Sequence, residues 1–211
     1  MRKWYPVVLA ALMIVVAVFA YSRLPDRVPT HWNYKGEITS YGSKWMVVIT
    51  MPSLLLALWA MLRVLPRIDP WRENYVKFQA TYDLVVNCVL TIIALAEVAM
   101  LATALGAPIA VDRVIRASAG VLLVIIGNVL PRARPNFWLG IRTPWTLTNA
   151  RVWERTNRAG GYLLVAAGVL AIGSALIPIN VPARTLGIAG AAAAILTVIY
   201  SYFVWRQETS K

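Results

Sequence analysis

The chain has 211 residues, of which 59% are hydrophobic and 14% are charged, and its mean hydropathy is +0.63. Soluble domains carry about 25% charged residues, so this composition excludes an ordinary soluble protein and indicates an integral membrane protein. The 21 Lys and Arg outnumber the 9 Asp and Glu and give a net charge of +12. Because these basic residues lie between apolar runs, they favour topology signals and lipid-headgroup contacts over direct nucleic-acid binding.

Six apolar runs are long enough to cross a hydrocarbon core of about 30 Å, which takes roughly 20 helical residues. They lie near 4–22, 45–65, 84–105, 113–130, 161–179 and 184–205. The first run follows Arg2 and Lys3 as a signal peptide would, but it is long and lacks a small-x-small cleavage pattern, so we interpret it as a membrane helix. The sequence therefore predicts an all-α, polytopic membrane protein with six transmembrane helices.

The distribution of basic residues predicts the orientation of these helices. With the N-terminus inside, the inner segments hold 14 Lys and Arg and the outer segments hold 7. Cytoplasmic loops carry the excess of Lys and Arg, so both termini are predicted to be cytoplasmic.

The first outer connection, residues 23–44, is too polar to enter lipid and is predicted to be ordered on the outer face. Its prolines stop helix formation and its glycines permit turns. His31 is the only histidine of the chain, and zinc sites need three or four ligands, so no metal site is predicted. Trp32 and the nearby tyrosines fit an interfacial aromatic belt, and a partner-binding role for this loop stays open beside that interpretation.

The inner connection, residues 131–160, contains the sequence NFWLGIRTPWTLTN at 136–149. Three prolines prevent one continuous helix there, and Gly140 allows a turn with positive φ. Arg142 lies between Gly140 and Pro144, where its guanidinium can offer a planar fork to a carboxylate, a phosphate or a backbone carbonyl.

A short surface helix is predicted over 149–157, with three arginines on one face. Arg151, Arg155 and Arg158 have the spacing that places them together. A basic face beside anionic lipids gains about 1 kcal/mol per Lys or Arg, so a lipid anchor explains these residues as well as a protein contact does.

The third apolar run contains a polar series of Asp83, Asn87, Thr91 and Glu97. The first three share one helical face, and a carboxylate within a span suggests a functional site by default. The alternative function is therefore a small-solute or proton-coupled transporter that uses Glu97. A structural hydrogen bond from Glu97 to Asn128 or Thr197 is the competing interpretation.

Catalytic machinery is not recognisable in the sequence. There is no HExxH, no G-x-S-x-G and no Cys/His pair, so we expect no enzyme, no catalytic residue and no cofactor. The fifth and sixth runs are rich in Gly and Ala and are joined by a short connection, which predicts a tight antiparallel pair of helices.

Several motifs together resemble a known family. These are GN at 127–128, PN at 135–136, GIRTPWTL at 140–147 and VWERTNRAGG at 152–161. The chain resembles the bacterial SdpI family, immunity proteins against a secreted sporulation-delaying toxin. The outer connection LPDRVPTHWNYKGEITSYGSK at 24–44, together with the apolar runs on either side of it, resembles the small domain of unknown function that commonly precedes the SdpI signature. Relatives usually carry a histidine where this chain has Asn157, so the resemblance implies no titrating imidazole here.

The resemblance implies a protein of the bacterial cytoplasmic membrane that protects the cell from a membrane-active toxin. It also implies signalling, in which toxin binding outside leads to capture of a cytoplasmic, winged-helix, ArsR-like repressor at the inner face. Membrane lipids are the other expected partner, and the oligomeric state stays open. The expected units are an N-terminal two-helix unit at 1–66 and an SdpI-like four-helix unit at 67–211.

The candidate residues form three groups. The predicted toxin or partner contacts in the outer loop are His31, Trp32, Asn33 and Gly36. The inner-loop motif consists of Asn128, Asn136, Gly140, Arg142, Thr143, Pro144, Trp145, Trp153 and Asn157. The intramembrane polar residues are Asn87 and Glu97.

Overall fold

The structure is a computed structural model that describes residues 4–33, 37–177 and 183–210, with side chains for all of these except 183–189. Its elements follow one another as α1 (Tyr5–Tyr21), β1 (Arg27–Trp32), β2 (Ile38–Ser43), α2 (Lys44–Ile68), α3 (Gln79–Ala104), α4 (Val111–Val129), α5 (Pro144–Thr148), α6 (Ala150–Leu176) and α7 (Ala183–Thr209). Two 3₁₀ turns, Arg72–Lys77 and Leu130–Arg132, precede α3 and follow α4.

Each of the six apolar runs corresponds to one helix. Four of these helices are long and apolar enough to cross a membrane, namely α2, α3, α4 with its 3₁₀ turn, and α6. Helix α1 is apolar but has 17 residues, about 26 Å at 1.5 Å per residue. A mostly helical membrane protein is therefore confirmed, and six crossings with cytoplasmic termini stay a prediction.

The outer connection forms a β-hairpin that the sequence analysis did not anticipate. Strands β1 and β2 pair antiparallel, with Val28 opposite Gly42 and Trp32 opposite Ile38. The register shifts on both sides of His31, as expected for short strands that contain a proline and a glycine. Val28 is fully buried against α1, α2 and α3, so the hairpin is packed onto the helices. We call this end of the molecule the hairpin end.

The predicted surface helix at 149–157 is wrong as a separate element. Helix α6 runs without interruption from Ala150 to Leu176, and its first turn is capped by Asn149, whose Oδ1 accepts from the amides of Arg151 and Val152. No proline lies within this stretch, and its buried face continues from Val152 onward. Helix formation therefore extends through the loop residues into the apolar run.

The tightest helix contact joins α4 and α6 rather than the predicted pair α6 and α7. A Cβ added at Gly127 would lie 2.5 Å from the Gly161 carbonyl oxygen, and one added at Gly161 would lie 2.5 Å from that of Gly127. Gly120 of α4 and Gly168 of α6 approach each other in the same way, about two helical turns away from the first pair. Small residues let backbones approach within lipid, so these two glycine pairs place α4 directly against α6. Helix α7 does pack on α6, but its Gly190 faces open space.

Gly161→Ala should destabilise the protein by about 1–3 kcal/mol, because the added methyl group meets backbone that cannot move aside cheaply. Gly173→Ala is the matched control in the same helix. No atom lies within 4 Å of its added Cβ, and alanine favours helix formation, so stability should stay equal or rise slightly. The measurement is thermal unfolding of the purified protein in detergent; equal melting temperatures for the two variants would contradict this account.

Candidate functional site

The loop between α4 and α6, residues 130–149, packs on the buried side chain of Trp153 of α6. This side chain is 1% exposed, and its Nε1 donates to the carbonyl of Ala133 at 2.8 Å. Trp153 also joins a buried cluster that contains Tyr75, Phe78, Tyr82 and other residues of this end. The loop therefore closes the end of the molecule opposite the hairpin, which we call the loop end.

Asn136 organises the turn through its side chain. Its Oδ1 accepts from the amides of Trp138 at 2.8 Å and Leu139 at 2.7 Å, and its Nδ2 donates to the carbonyls of Arg134 at 2.7 Å and Leu139 at 2.8 Å. The residue is fully buried. One amide thus satisfies four backbone groups that no helix or strand would pair.

Asp69 connects this turn to the segment between α2 and α3. Its carboxylate accepts from the amides of Trp71 and Phe137 and from the Tyr75 hydroxyl, each at 2.8 Å. Burial and the hydrogen bond to Asp69 raise the pKa of Tyr75, so its hydroxyl remains a donor at physiological pH. Asn74 adds a fourth tie by donating to the Pro135 carbonyl at 2.8 Å. The loop end is therefore one hydrogen-bonded unit.

Gly140 has the positive φ that the sequence predicted, at +137°. A Cβ there would lie 2.6 Å from the Trp153 ring and 3.0 Å from Oδ1 of Asn157. That Oδ1 accepts from the Ile141 amide at 2.8 Å, while Nδ2 donates to the Trp153 carbonyl at 3.0 Å. Asn157 is buried and serves as a neutral hydrogen-bonding group between α6 and the turn.

The residues TPW begin the short helix α5. Thr143 caps it in a capping box with Thr146, and Pro144 occupies its first turn, where proline is favoured. Trp145 Nε1 donates to Ser201 Oγ at 2.7 Å, and its ring contacts those of Tyr202 and Trp205. This motif therefore fastens the loop to α7 rather than holding it only at the headgroup level.

Arg142 donates to the Phe137 carbonyl through Nη1, and the side chain is exposed. The guanidinium therefore meets a backbone carbonyl through one nitrogen, and a two-pronged contact with an acceptor stays a prediction. Its acceptor belongs to the same loop, so Arg142 closes the turn from the solvent side.

The structure also places Asn128 and the three arginines of α6. Asn128 is exposed on α4 and makes no side-chain hydrogen bond within the described residues, because Gly127 takes the face of α4 that contacts α6.

The three arginines of α6 differ in their contacts. Arg151 and Arg155 form ion pairs with Glu208 of α7, at 3.6 and 3.2 Å, whereas Arg158 is exposed and has no ion pair in the described part of the chain.

Of the predicted outer-loop residues, His31 and Trp32 are the last two residues of β1, and Asn33 follows them. His31 is exposed, and Trp32 packs partly against the buried cluster of Val28, Val47 and Leu101. Asn33 is committed to the turn, since it exchanges backbone and side-chain hydrogen bonds with Glu37. Gly36 lies outside the described residues.

The intramembrane residues Asn87 and Glu97 do not share a site. Glu97 is 1% exposed, and neither carboxylate oxygen has a hydrogen-bond partner among the described residues. The predicted bond to Asn128 or Thr197 is therefore wrong; Thr197 donates to its own helix, at the Ala193 carbonyl. Asn87 instead lines a cavity near the start of α3.

Sequence reasoning missed Asp69, Tyr75 and Ser201 as parts of the site. Asp69 lies in the sequence DPWRENY, where a lone acid beside a proline reads as an ordinary turn. Its role depends on a contact with Phe137, 68 positions away, which no local pattern reveals.

Two family models match parts of the chain. The model described as "SdpI/YfhL protein family" matches residues 132–203, which contain the turn of Asn136 and the start of α6. The chain carries an SdpI/YfhL family domain. A second model, "Domain of unknown function (DUF1648)", matches residues 8–56, which contain most of α1, both strands of the hairpin and the first half of α2. The family recognised from the sequence motifs is thereby confirmed.

One curated relative is similar over most of the chain. The "Immunity protein SdpI" of Bacillus subtilis (strain 168) is 25% identical over 164 residues, which cover 78% of this chain and 76% of the relative. No solved structure matches the chain.

Asn136→Ala should destabilise the protein by about 3 kcal/mol or more, because each buried polar group left unpaired costs roughly 1–3 kcal/mol. The opened turn should also become a tryptic site at Arg134 or Arg142. Asn128→Ala is the matched control and should leave both properties unchanged, since that side chain is exposed and has no hydrogen bond to the described residues. Thermal unfolding and limited trypsin digestion measure the two effects; an Asn136→Ala protein as stable and as resistant as the control would refute this role.

Proposed function

We propose that this chain is an immunity protein that protects a bacterial cell against a secreted, membrane-active toxin. The observation that carries the proposal is the similarity to the immunity protein of Bacillus subtilis over 78% of the chain. The arrangement is compatible with a receptor, because the hairpin and the loop 130–149 lie at opposite ends of helices long enough to cross a membrane. We infer a binding role without catalysis.

The proposed topology has six crossings in the bacterial cytoplasmic membrane and both termini inside. The 14 to 7 distribution of basic residues supports it, together with the hairpin following α1 and the loop following α4. The hairpin is then extracytoplasmic and the loop end cytoplasmic.

In a Cys88→Ala background, a Ser43→Cys variant should react with an impermeant thiol reagent added to intact cells, because β2 is then outside. A Thr148→Cys variant should react only after the cells are opened. Both positions are exposed in the structure, so a difference in labelling reports sidedness rather than burial. Labelling at 148 in sealed cells would invert the topology.

The hairpin is the proposed contact for the toxin. Strand β2 exposes Ile38 and Tyr41, and the exposed Trp45 follows at the start of α2. His31 lies exposed on β1. Aromatic side chains supply large contact areas at low entropy cost, so these residues suit a peptide that approaches from the membrane surface.

The exposed surface of loop 130–149 is the proposed contact for a cytoplasmic repressor of the ArsR type. It presents Arg132, Arg134 and Arg142 beside the exposed Phe137 and Trp138. The loop contains no acidic residue, so it suits an acidic protein surface or anionic headgroups. Its internal hydrogen bonds keep this surface preformed, which lowers the entropic cost of binding.

The transporter alternative gains no support from the described residues. Asp83 and Asn87 open into a cavity at one end of α3, and Glu97, ten or more positions further along, is not among the residues that line it. The Thr91 hydroxyl forms a hydrogen bond of 2.6 Å with the Tyr5 hydroxyl of α1. Glu97 is therefore separate from Asp83, Asn87 and Thr91, and the described polar residues of α3 form no continuous path to it.

Expression of the chain in Bacillus subtilis cells that lack their own SdpI should restore survival beside toxin-producing cells. A Tyr41→Ala variant should protect less well, because it removes an exposed ring from the hairpin. Tyr162→Ala is the control, since that ring is 71% exposed on α6, away from the hairpin. Survival is counted at membrane abundance matched by immunoblot. Failure of the unchanged chain to protect would contradict the proposal, and equal protection by both variants would remove Tyr41 from the contact.

A further inference from the structure

A cavity of about 380 Å³ opens at the loop end between the start of α1, the end of α2 and the start of α3. It is lined by Pro6, Trp59, Leu62, Arg63, Pro66, Arg67, Gln79, Tyr82, Asp83, Val86 and Asn87. None of the proposed contacts of the hairpin or of loop 130–149 is among these residues. The cavity therefore requires an explanation of its own.

Charges of both signs line the cavity without neutralising each other. Arg63 and Arg67 lie one helical turn apart on α2, and Asp83 faces the cavity from α3. In the described part of the chain, no ion pair within 4 Å joins Asp83 to either arginine. Arg63 and Arg67 are exposed and Asp83 is half-buried, so a ligand that enters from the surface meets cationic and anionic groups at separate positions.

Acceptors for a cationic group remain available on the α3 side. Asp83 Oδ1 accepts from Gln79 Nε2 at 2.8 Å, which leaves Oδ2 without a hydrogen bond among the described residues. The Asn87 side-chain amide likewise makes no hydrogen bond there, since only its backbone carbonyl is bonded, to Thr91. A primary ammonium has three donors and can bond to both side chains.

The walls of the cavity are preformed. Tyr82 donates from its hydroxyl to the Leu62 carbonyl at 2.6 Å, which ties α3 to α2. The hydrogen bond of Tyr5 with Thr91 ties α1 to α3. The charged lining residues lie near the end of α2 and the start of α3, where a membrane helix meets lipid headgroups if these helices cross the membrane.

The apolar part of the lining favours a lipid over a dissolved ion as the ligand of this cavity. Trp59, Leu62 and Val86 line the same cavity, and the Arg63 guanidinium lies 5.9 Å from the centre of the Trp59 ring. A dissolved phosphate would leave this apolar wall without a partner, whereas the glycerol and first acyl carbons of a lipid would cover it.

We propose that the cavity binds the headgroup of an aminophospholipid of the phosphatidylethanolamine type. Arg63 and Arg67 hold the phosphate, Asp83 and Asn87 hold the primary ammonium, and Trp59 and Leu62 contact the glycerol region. Arginine suits the phosphate because its planar fork donates two parallel hydrogen bonds. This proposal is independent of toxin protection, since it requires only a membrane protein with this cavity.

Native mass spectrometry of the full chain in detergent tests the proposal with added palmitoyl-oleoyl phosphatidylethanolamine, phosphatidylglycerol or phosphatidylcholine. The ethanolamine lipid should bind about tenfold more tightly than either other lipid, which corresponds to 1.4 kcal/mol. Phosphatidylglycerol lacks the cation, and the choline group cannot donate hydrogen bonds to Asp83.

Asp83→Asn should abolish the preference for the ethanolamine lipid without weakening phosphatidylglycerol binding. Asp83→Glu should retain the preference, which separates a charge effect from a folding defect. The double variant Arg63→Gln, Arg67→Gln should weaken the binding of all three lipids, because each of them carries a phosphate. The matched control is Arg23→Gln with Arg113→Gln, which removes the same charge from exposed arginines at the hairpin end, outside the cavity, and should leave all three affinities unchanged.

Two competitors separate a lipid site from a site for soluble anions. Glycerophosphoethanolamine should displace the ethanolamine lipid only weakly, because it lacks the acyl carbons. Inorganic phosphate should displace it even less. Displacement by phosphate at the concentration at which the lipid binds would overturn the proposal, and so would an unchanged preference in a folded Asp83→Asn protein.

Discussion

The loop end depends on the buried side chain of Asn136. Where a chain leaves a helix beside lipid, its backbone amides and carbonyls lose the partners that a helix supplies, and unpaired groups in such surroundings cost several kcal/mol each. Asn136 replaces four of those partners, and Asp69 supplies further acceptors from the segment before α3. The GIRTPW turn can therefore keep one shape although it has little regular secondary structure.

Because buried side chains satisfy the backbone of the loop, the motif divides into residues that face the protein interior and residues that form its outer surface. Asn136, Thr146 and Asn157 are buried and point into the protein, whereas Arg134, Arg142 and Trp138 are exposed. Substitution of a buried residue would change the shape of the loop, whereas substitution of Arg134 would change only its surface. Arg142 and Trp138 contribute to both, because they also donate to the carbonyls of Phe137 and Leu65. The reciprocal glycine contacts of α4 with α6 support the same division, since they fix the two helices from which the loop departs.

Much of the candidate site was predictable because its residues have local conformational preferences. Gly140 permits the positive φ, Thr143 and Pro144 begin a helix, and the Asn residues suit turns and caps. The partners were not predictable, because Tyr75 and Ser201 meet the loop across 61 and 56 positions of sequence. Glu97 shows the same limit: its chemistry suggested a hydrogen-bond partner, and packing placed none beside it among the described residues.

The sequence by itself determined the membrane class, the positions of the helices and the family, because hydrophobic run length and short motifs are local properties of the chain. Tertiary structure alone decided that Arg27–Trp32 pairs with Ile38–Ser43 as a hairpin and that α4 packs most closely against α6. It also decided that Asp83 and the arginines of α2 share one cavity. Each of these depends on which surfaces meet, and that is settled by packing between segments distant in sequence.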